Sequence, residues 1–137
     1  PQNRLKNAVV SSGKPAKSAF ANIISSQNRR VNLISAKLFT GRTHQIRVHL
    51  ASINRHILGD DLYGFKSNSD KISRIFLHAY ILRLIHPKSN QIMEFKAPLP
   101  SEFYELISKE FNKEIVDENI SVLCDIFGGI AQWMRYD

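Results

Sequence analysis

Apolar and β-branched residues in the first third of the chain predict a pair of strands. The segments SAFANIIS (18–25) and RVNLISAKLF (30–39) are joined by the polar stretch SQNRR. Apolar runs of this length around turn-forming residues are typical of a β-hairpin. Further along, the mostly apolar RIFLHAYILRLIHP (74–87) predicts one or two strands that end at Pro87. With the turn KSNQ and the strand IMEFKAPLP (92–100), it predicts a second hairpin.

A helix is predicted between the two hairpins. Ile46, Leu50 and Ile53 follow the helical repeat and would share one face of a helix over about residues 44–53. Thr43 stands directly before this pattern and is a good N-cap residue. The sequence therefore places a helix immediately after the turn TGRT.

The C-terminal third of the chain predicts two more helices. Ser101 can cap a helix whose apolar positions are Phe103, Leu106, Ile107 and Phe111. The segment NISVLCDIFGGIAQWMRY (119–136) repeats the pattern. Residues 1–17 and 55–71 are polar and turn-rich, which is typical of loops. The predicted fold is α+β: a mixed or antiparallel sheet, an embedded helix and C-terminal helices.

Composition narrows the class of protein. The 137 residues are 43% apolar, enough for one domain or part of one, and no apolar run approaches the length of a membrane span. Cys124 is the only cysteine, which excludes an internal disulfide framework and a cysteine-rich zinc site. We therefore expect a cytoplasmic protein.

Charge points to an acidic partner. The net charge is +7, and residues 1–55 contain ten Lys and Arg but no Asp or Glu. Such a surface favours polyanions, nucleic acid first, because neutralised phosphates release counterions. Many basic proteins bind nothing acidic, so charge alone leaves both interpretations open.

The segment LFTGRTHQIRVHLA (38–51) combines polar and apolar residues in an unusual way. Arg47 lies about one turn into the predicted helix, beside apolar positions, so its guanidinium should be partly desolvated and need an anionic partner. That partner is either a carboxylate of the protein or a phosphate of a ligand, and Arg42 in the preceding turn favours the same kind of site. The alternative is a solvated basic face on which His44 and His49 cap and pack. A metal site is disfavoured because these histidines, five residues apart, do not share a helical face.

Several motifs in order resemble one enzyme family. TGRTHQIRVHLA, ILGDDLYG, LHAYILRLIHP and FKAPLP, with GKPAKSAF upstream, resemble the RluA-type pseudouridine synthases over about residues 13–104. The resemblance implies part of the pseudouridine synthase catalytic fold and isomerisation of uridine to pseudouridine in structured ribosomal or transfer RNA, without cofactor or metal. In that family an aspartate of an HRLDxxTSG-like motif is catalytic, a tyrosine of a YxAxVxG-like segment packs on the base, and an arginine corresponding to Arg47 pairs with the aspartate.

The chain departs from the family pattern at its most important motif. It contains neither HRLD nor the tyrosine segment, and Asp60 and Asp61 belong to the separate GDDLYG motif, so neither is assigned as nucleophile. We therefore expect residues 1–137 to be the C-terminal portion of a catalytic domain, family-like over 13–104 with a helical tail over 101–137. Alone, this portion is predicted to be inactive. The alternatives are a non-catalytic RNA-binding module and half of a split enzyme.

The resemblance also implies roles for individual residues. It implies a substrate pocket that contains Leu77, His44 and Gln45. Gly59, Asp60, Tyr63 and Gly64 are expected to form a structural loop, with contact to substrate as the alternative. The candidates for contact with the RNA backbone are basic residues of the first part of the chain, namely Arg42, Lys14, Lys17, Arg29 and Arg30.

Overall fold

The computed structural model describes residues 6–64, 72 and 74–123. The elements follow in the order β1 (Ser18–Ser25), β2 (Asn32–Leu38), α1 (Gln45–Ser52), β3 (Ile81–Ile85), β4 (Ile92–Lys96), α2 (Ser101–Glu110) and α3 (Lys113–Ser121). Over these described residues, two two-stranded sheets and three helices form an α+β fold, as predicted. Within the part of the chain described here, no helix has the length and apolar character needed to cross a membrane.

The chain is divided into two compact units. Unit 1 comprises Pro1–Ser18 and Leu38–Leu77, and unit 2 comprises Ala19–Lys37 and His78–Asp137. Unit 1 contains helix α1 and the GDDLYG loop. Unit 2 contains most of the first hairpin, all of the second, and helices α2 and α3.

The first predicted hairpin is confirmed. Strands β1 and β2 are neighbours in one sheet, and the turn between them is closed by the amide of Ser26, which donates to the carbonyl of Val31 over 2.8 Å. The amide of Arg29 donates to the carbonyl of Ser26, and Arg29 has a φ of 55°. Its exposed side chain therefore lies at the tip of the turn, in a conformation that non-glycine residues adopt mainly in turns.

The second hairpin is also confirmed, but both of its strands are shorter than predicted. Strands β3 and β4 pair antiparallel, from Ile81 opposite Lys96 to Ile85 opposite Ile92. The prediction of strand structure over residues 74–80 is wrong. Within unit 1, the amide of Phe76 instead donates to the carbonyl of Leu58, so this apolar segment runs beside a loop.

Helix α1 is confirmed, but its predicted N-cap is wrong. The helix begins at Gln45, and the preceding His44 has a left-handed backbone with a φ of 54°. Thr43 is therefore one residue too early to cap the helix, and no side chain caps it from the N-cap position. The prediction that Ile53 shares a buried face is also wrong, since Ile53 follows the end of the helix and is 62% exposed. Val48 and Leu50 are the buried apolar residues of α1.

Unit 2 places both C-terminal helices around a small apolar core of Phe103, Ile107 and Val116. Ser101 does not cap α2, because it is already the first residue of the helix and Pro100 is at the N-cap position. Helix α3 begins earlier than predicted. Asn112 caps it by accepting from the amides of Glu114 and Ile115. Most of the helix predicted for 119–136 lies outside the described residues.

Candidate active site around Arg47

The Arg47 guanidinium is held along one edge by a carboxylate of the same unit. Its Nε donates to Asp60 Oδ2 over 2.9 Å, and its Nη2 donates to Asp60 Oδ1 over 2.8 Å. This is the two-pronged geometry that arginine forms with carboxylates. Of the two partners predicted for Arg47, carboxylate or phosphate, the structure supplies a carboxylate, thirteen residues further along the chain.

Asp60 is itself fixed by the loop that follows it. Its Oδ1 also accepts from the amides of Leu62 and Tyr63, over 3.0 and 3.1 Å. The Asp60 side chain is only 1% exposed. Desolvation raises the pKa of this carboxyl, but the hydrogen bonds from Arg47 and from the two amides outweigh it and hold the pKa below its usual range. The hydrogen bonds to Asp60 likewise raise the pKa of Arg47, so the pair is charged at neutral pH.

Two glycines allow the loop to close tightly around Asp60. Gly59 has a φ of +76°, and a Cβ atom placed there would lie 1.9 Å from the carbonyl oxygen of Arg74. The amide of Gly64 donates to the carbonyl of Asp60, and a Cβ atom at Gly64 would lie 2.4 Å from that same oxygen. A side chain at either position would therefore force the backbone apart. These contacts agree with the prediction of a structural loop.

Tyr63 forms a second restraint on the arginine. The carbon at the centre of the Arg47 guanidinium lies 5.1 Å from the centre of the Tyr63 ring, within the range of a cation–π contact. The Tyr63 hydroxyl lies 3.0 Å from Nδ1 of His44 and accepts a hydrogen bond from the amide of Asn7. His44, a predicted pocket residue, is thereby placed beside Arg47 and Tyr63 in one cluster.

Gln45, the second predicted pocket residue, is buried and fully hydrogen-bonded. Its Oε1 accepts from the amide of Arg42 and from the Thr40 hydroxyl. Its Nε2 donates to the carbonyl of Lys17 and to the Ser18 hydroxyl. The side chain thus joins the start of α1 to residues 17–18 within unit 1. A substrate contact of Gln45 stays a prediction.

The remaining predicted residues are distributed over both units. Leu77, predicted for the pocket, is 36% exposed at the end of unit 1. Lys14, Lys17 and Arg42 are exposed in unit 1, while Arg29 and Arg30 are exposed at the hairpin turn of unit 2. Two of these side chains are already engaged. Arg42 Nε donates to the carbonyl of Pro15, and Lys17 Nζ lies 4.7 Å from the centre of the Phe39 ring.

The histidines of α1 serve separate hydrogen bonds. His44 Nδ1 faces Tyr63, whereas His49 Nδ1 lies 3.0 Å from the Ser18 hydroxyl. Across residues 6–64, 72 and 74–123, no group of three His, Cys, Asp or Glu side chains is placed to hold a metal ion.

One edge of the Arg47 guanidinium remains open. Asp60 occupies Nε and one N–H of Nη2. Among the described residues, no group accepts a hydrogen bond from Nη1, and the side chain keeps 18% of its surface exposed. Three of the five guanidinium N–H donors, one on Nη2 and two on Nη1, are thus left for a second anion.

Comparison with known proteins relates these residues to one family. The family model described as RNA pseudouridylate synthase matches residues 1–52, which include Arg47. A protein of Helicobacter pylori named as an uncharacterized RNA pseudouridine synthase is 48% identical over 124 residues, or 86% of this chain and 38% of that protein.

Other relatives show a similar extent of match. An uncharacterized RNA pseudouridine synthase of Chloroflexus aurantiacus is 43% identical, over 74% of this chain and 32% of its own length. The ribosomal large subunit pseudouridine synthase D of Pasteurella multocida is 40% identical, over 78% of this chain and 36% of its own length. The chain thus spans less than two fifths of these three relatives. It belongs to the RluA-type family of RNA pseudouridine synthases, as its motifs indicated.

Proposed function

We propose that the protein carrying this chain isomerises uridine to pseudouridine in RNA and that Arg47 holds its catalytic aspartate. The observation that carries the proposal is the half-occupied guanidinium. Asp60 binds one edge through two hydrogen bonds, and the Nη1 edge has no acceptor among the described residues. In this proposal the open edge receives the family's catalytic carboxylate. Since the sequence contains no HRLD motif, that carboxylate comes from a segment outside the 137 residues.

In this reaction the task of Arg47 is electrostatic. A guanidinium next to a second carboxylate lowers its pKa and fixes its orientation, so it is ionised before substrate arrives. The target uridine must leave its stack to reach such a buried group. The carboxylate then attacks the nucleoside or removes a proton, the bond between C1′ and N1 breaks, and the uracil is rejoined through C5 with loss of the C5 proton.

The proposed substrate is ribosomal RNA, with transfer RNA as the second candidate. The Pasteurella relative is named for the large ribosomal subunit, which favours ribosomal RNA. The basic residues of the first part of the chain suit either molecule, because folded RNA is recognised by shape and phosphate contacts. His44 and Leu77 are proposed to face the uracil, and the exposed side chains of Lys14, Lys17, Arg29, Arg30 and Arg42 are proposed to contact phosphates.

The test is tritium release from RNA labelled at C5 of uridine, because forming the new C–C bond expels that hydrogen. Full-length protein is compared with its Arg47→Ala variant on unmodified ribosomal RNA and on unmodified transfer RNA. Removing one preorganised group that stabilises the reacting charge typically lowers kcat by about a hundredfold to a thousandfold, so we expect turnover of Arg47→Ala to fall at least about a hundredfold.

The matched control is Arg55→Ala, which removes an exposed positive charge from the same unit. It should keep the wild-type rate. Wild-type turnover in Arg47→Ala would refute the role of Arg47. Tight RNA binding without any tritium release by the wild-type protein would instead show an RNA-binding module. Release from transfer RNA alone would correct the substrate.

A further inference from the structure

We propose that Asp60 is a positioning residue for this reaction: it orients Arg47 so that the open Nη1 edge faces the reacting carboxylate. This inference rests on the proposed function. It assigns to the GDDLYG loop a role in catalysis that acts through Arg47 and requires no contact of Asp60 with substrate.

The geometry of the ion pair fixes the orientation of the guanidinium. A single hydrogen bond would leave the guanidinium plane free to swing about its donor atom. Two parallel bonds, Nε to Oδ2 over 2.9 Å and Nη2 to Oδ1 over 2.8 Å, fix both the plane and the direction of the free edge. The direction in which Nη1 points is therefore determined by Asp60.

Asp60 is itself held in one position by its surroundings. Two backbone amides hold its Oδ1, and the side chain is 1% exposed. The glycines on either side bring the loop into close backbone contact, and Tyr63 packs its ring against the guanidinium. Asp60 is thus a fixed reference for a side chain that otherwise has four rotatable bonds.

The hydrogen bonds and burial of Asp60 also exclude a role as nucleophile. Both carboxylate oxygens of Asp60 accept hydrogen bonds from within unit 1, and almost none of the side chain reaches solvent. A nucleophile needs an accessible oxygen, so Asp60 is not placed to attack a nucleoside. Two roles therefore remain for Asp60: it orients Arg47, or it only closes the loop.

The variant Asp60→Asn separates these two roles. An asparagine Oδ1 can still accept from the amides of Leu62 and Tyr63, so the turn is preserved. Its Nδ2 replaces Oδ2 and brings a donor against the Nε–H donor of Arg47, which breaks the two-pronged pair. Asp60→Ala, by contrast, removes both the loop closure and the pair.

The experiment measures kcat, KM and the pH dependence of kcat for the full-length protein on C5-tritiated RNA. A displacement of about 1 Å at a reacting group can cost about a hundredfold in rate. For Asp60→Asn we expect kcat to fall about tenfold to a hundredfold. KM should stay near the wild-type value. The acid limb of the kcat profile should move to higher pH, because the misaligned guanidinium no longer keeps the catalytic carboxylate ionised. The control Glu105→Gln, which neutralises an exposed carboxylate of unit 2, should leave all three unchanged.

Different outcomes separate this inference from the proposed function. If Arg47→Ala is inactive while Asp60→Asn keeps the wild-type kcat and pH profile, only the role of Asp60 is refuted. If Arg47→Ala is fully active, the proposed function of Arg47 fails first. A lower kcat in Asp60→Asn with an unmoved pH profile would show a merely structural role and overturn the inference.

Two further variants distinguish a loss of Arg47 orientation from a folding defect. Arg47→Lys keeps the charge but cannot form the fork, so it should lower kcat as Asp60→Asn does, and a wild-type kcat would overturn the inference. In an Arg47→Ala background, Asp60→Asn should cause no further fall in kcat. An independent, additive loss would contradict action through Arg47.

Discussion

Replacing Arg47 by alanine strands the Asp60 carboxylate in a position that is almost completely buried. The change removes two charge-assisted hydrogen bonds, at 2.9 and 2.8 Å, and leaves the two amide donors of the loop in place. Hydrogen bonds to charged groups contribute about 1.5–3 kcal/mol each. Their sum agrees with the cost of about 3–5 kcal/mol for breaking a buried ion pair from one side. We therefore expect Arg47→Ala to lower the free energy of unfolding by about that amount at pH 7.

The cost should shrink in acid, and its sign follows from the pKa of Asp60. In the wild-type protein the folded pKa of this carboxyl lies below its unfolded value of 3.8. Its stabilising contribution is therefore complete above that pH and is lost as pH falls through the folded pKa. In Arg47→Ala only the two amide hydrogen bonds oppose the effect of burial on Asp60, so the pKa of Asp60 is higher than in the wild-type protein. A protonated Asp60 then relieves the stranded charge, and the difference between the two proteins narrows toward pH 3.5.

Equilibrium urea unfolding of the full-length protein, followed by circular dichroism, measures this difference at pH 7 and at pH 3.5. Arg55→Ala serves as the control for loss of an exposed charge and should unfold within about 0.5 kcal/mol of wild type at both values. Adding Asp60→Asn to Arg47→Ala should recover part of the stability at pH 7, because the stranded charge is gone. A loss under about 1 kcal/mol at pH 7, or a difference that widens in acid, would refute the argument that Asp60 is a buried anion held by Arg47.

Two other predictions concern the loop and the basic surface. Gly59→Ala should lower the free energy of unfolding by more than about 2 kcal/mol, because the left-handed backbone alone costs a non-glycine residue about 1–2 kcal/mol and the new Cβ meets a carbonyl oxygen. The control in the same unfolding assay is Gly41→Ala, where a Cβ meets nothing within 4 Å, and equal stability of the two variants would contradict the contact at Gly59. Neutralising the five exposed basic residues Lys14, Lys17, Arg29, Arg30 and Arg42 should weaken RNA binding in a filter-binding assay and flatten the dependence of log affinity on log salt concentration. The control, Lys109→Gln with Lys113→Gln, should change neither, and an unchanged slope in the fivefold variant would show that RNA binds another surface.

The elements that sequence could predict are those whose signals are local. Strand β1 has the predicted bounds, and the second hairpin forms around the predicted turn, because turn chemistry and apolar runs are read from neighbouring residues. The predicted N-caps of α1 and α2 are wrong because the position of a cap depends on the backbone angles of the residue just before the helix. For α1 that residue is the left-handed His44. The start of α3 had a usable signal that was missed. Asn112 is a strong cap residue, and Val116 and Ile120 follow it at helical spacing.

The candidate site was predictable in part for a related physical reason. Arg47 was found because a guanidinium among apolar neighbours needs an anion, and this requirement is visible in a single short segment. Its partner was missed because Asp60 lies in another motif, and only the closed loop brings it within 2.9 Å of Arg47. The signal available in the sequence was the position of Asp60 directly after Gly59. A glycine that must adopt a positive φ indicates a tight turn, and an aspartate in a tight turn commonly accepts backbone amides.

The mixture of polar and apolar residues in LFTGRTHQIRVHLA now has a physical cause. In helix α1, Val48 and Leu50 are buried, and Gln45 is buried as well because its amide is completely hydrogen-bonded. These three buried residues fix the position of the helix, and with it the point from which the Arg47 side chain extends. The carboxylate then fixes the last degrees of freedom of the side chain, and one edge stays available. A purely apolar inner face could not stabilise the charged Arg47 side chain, and a purely polar helix would have no buried residues to fix its position.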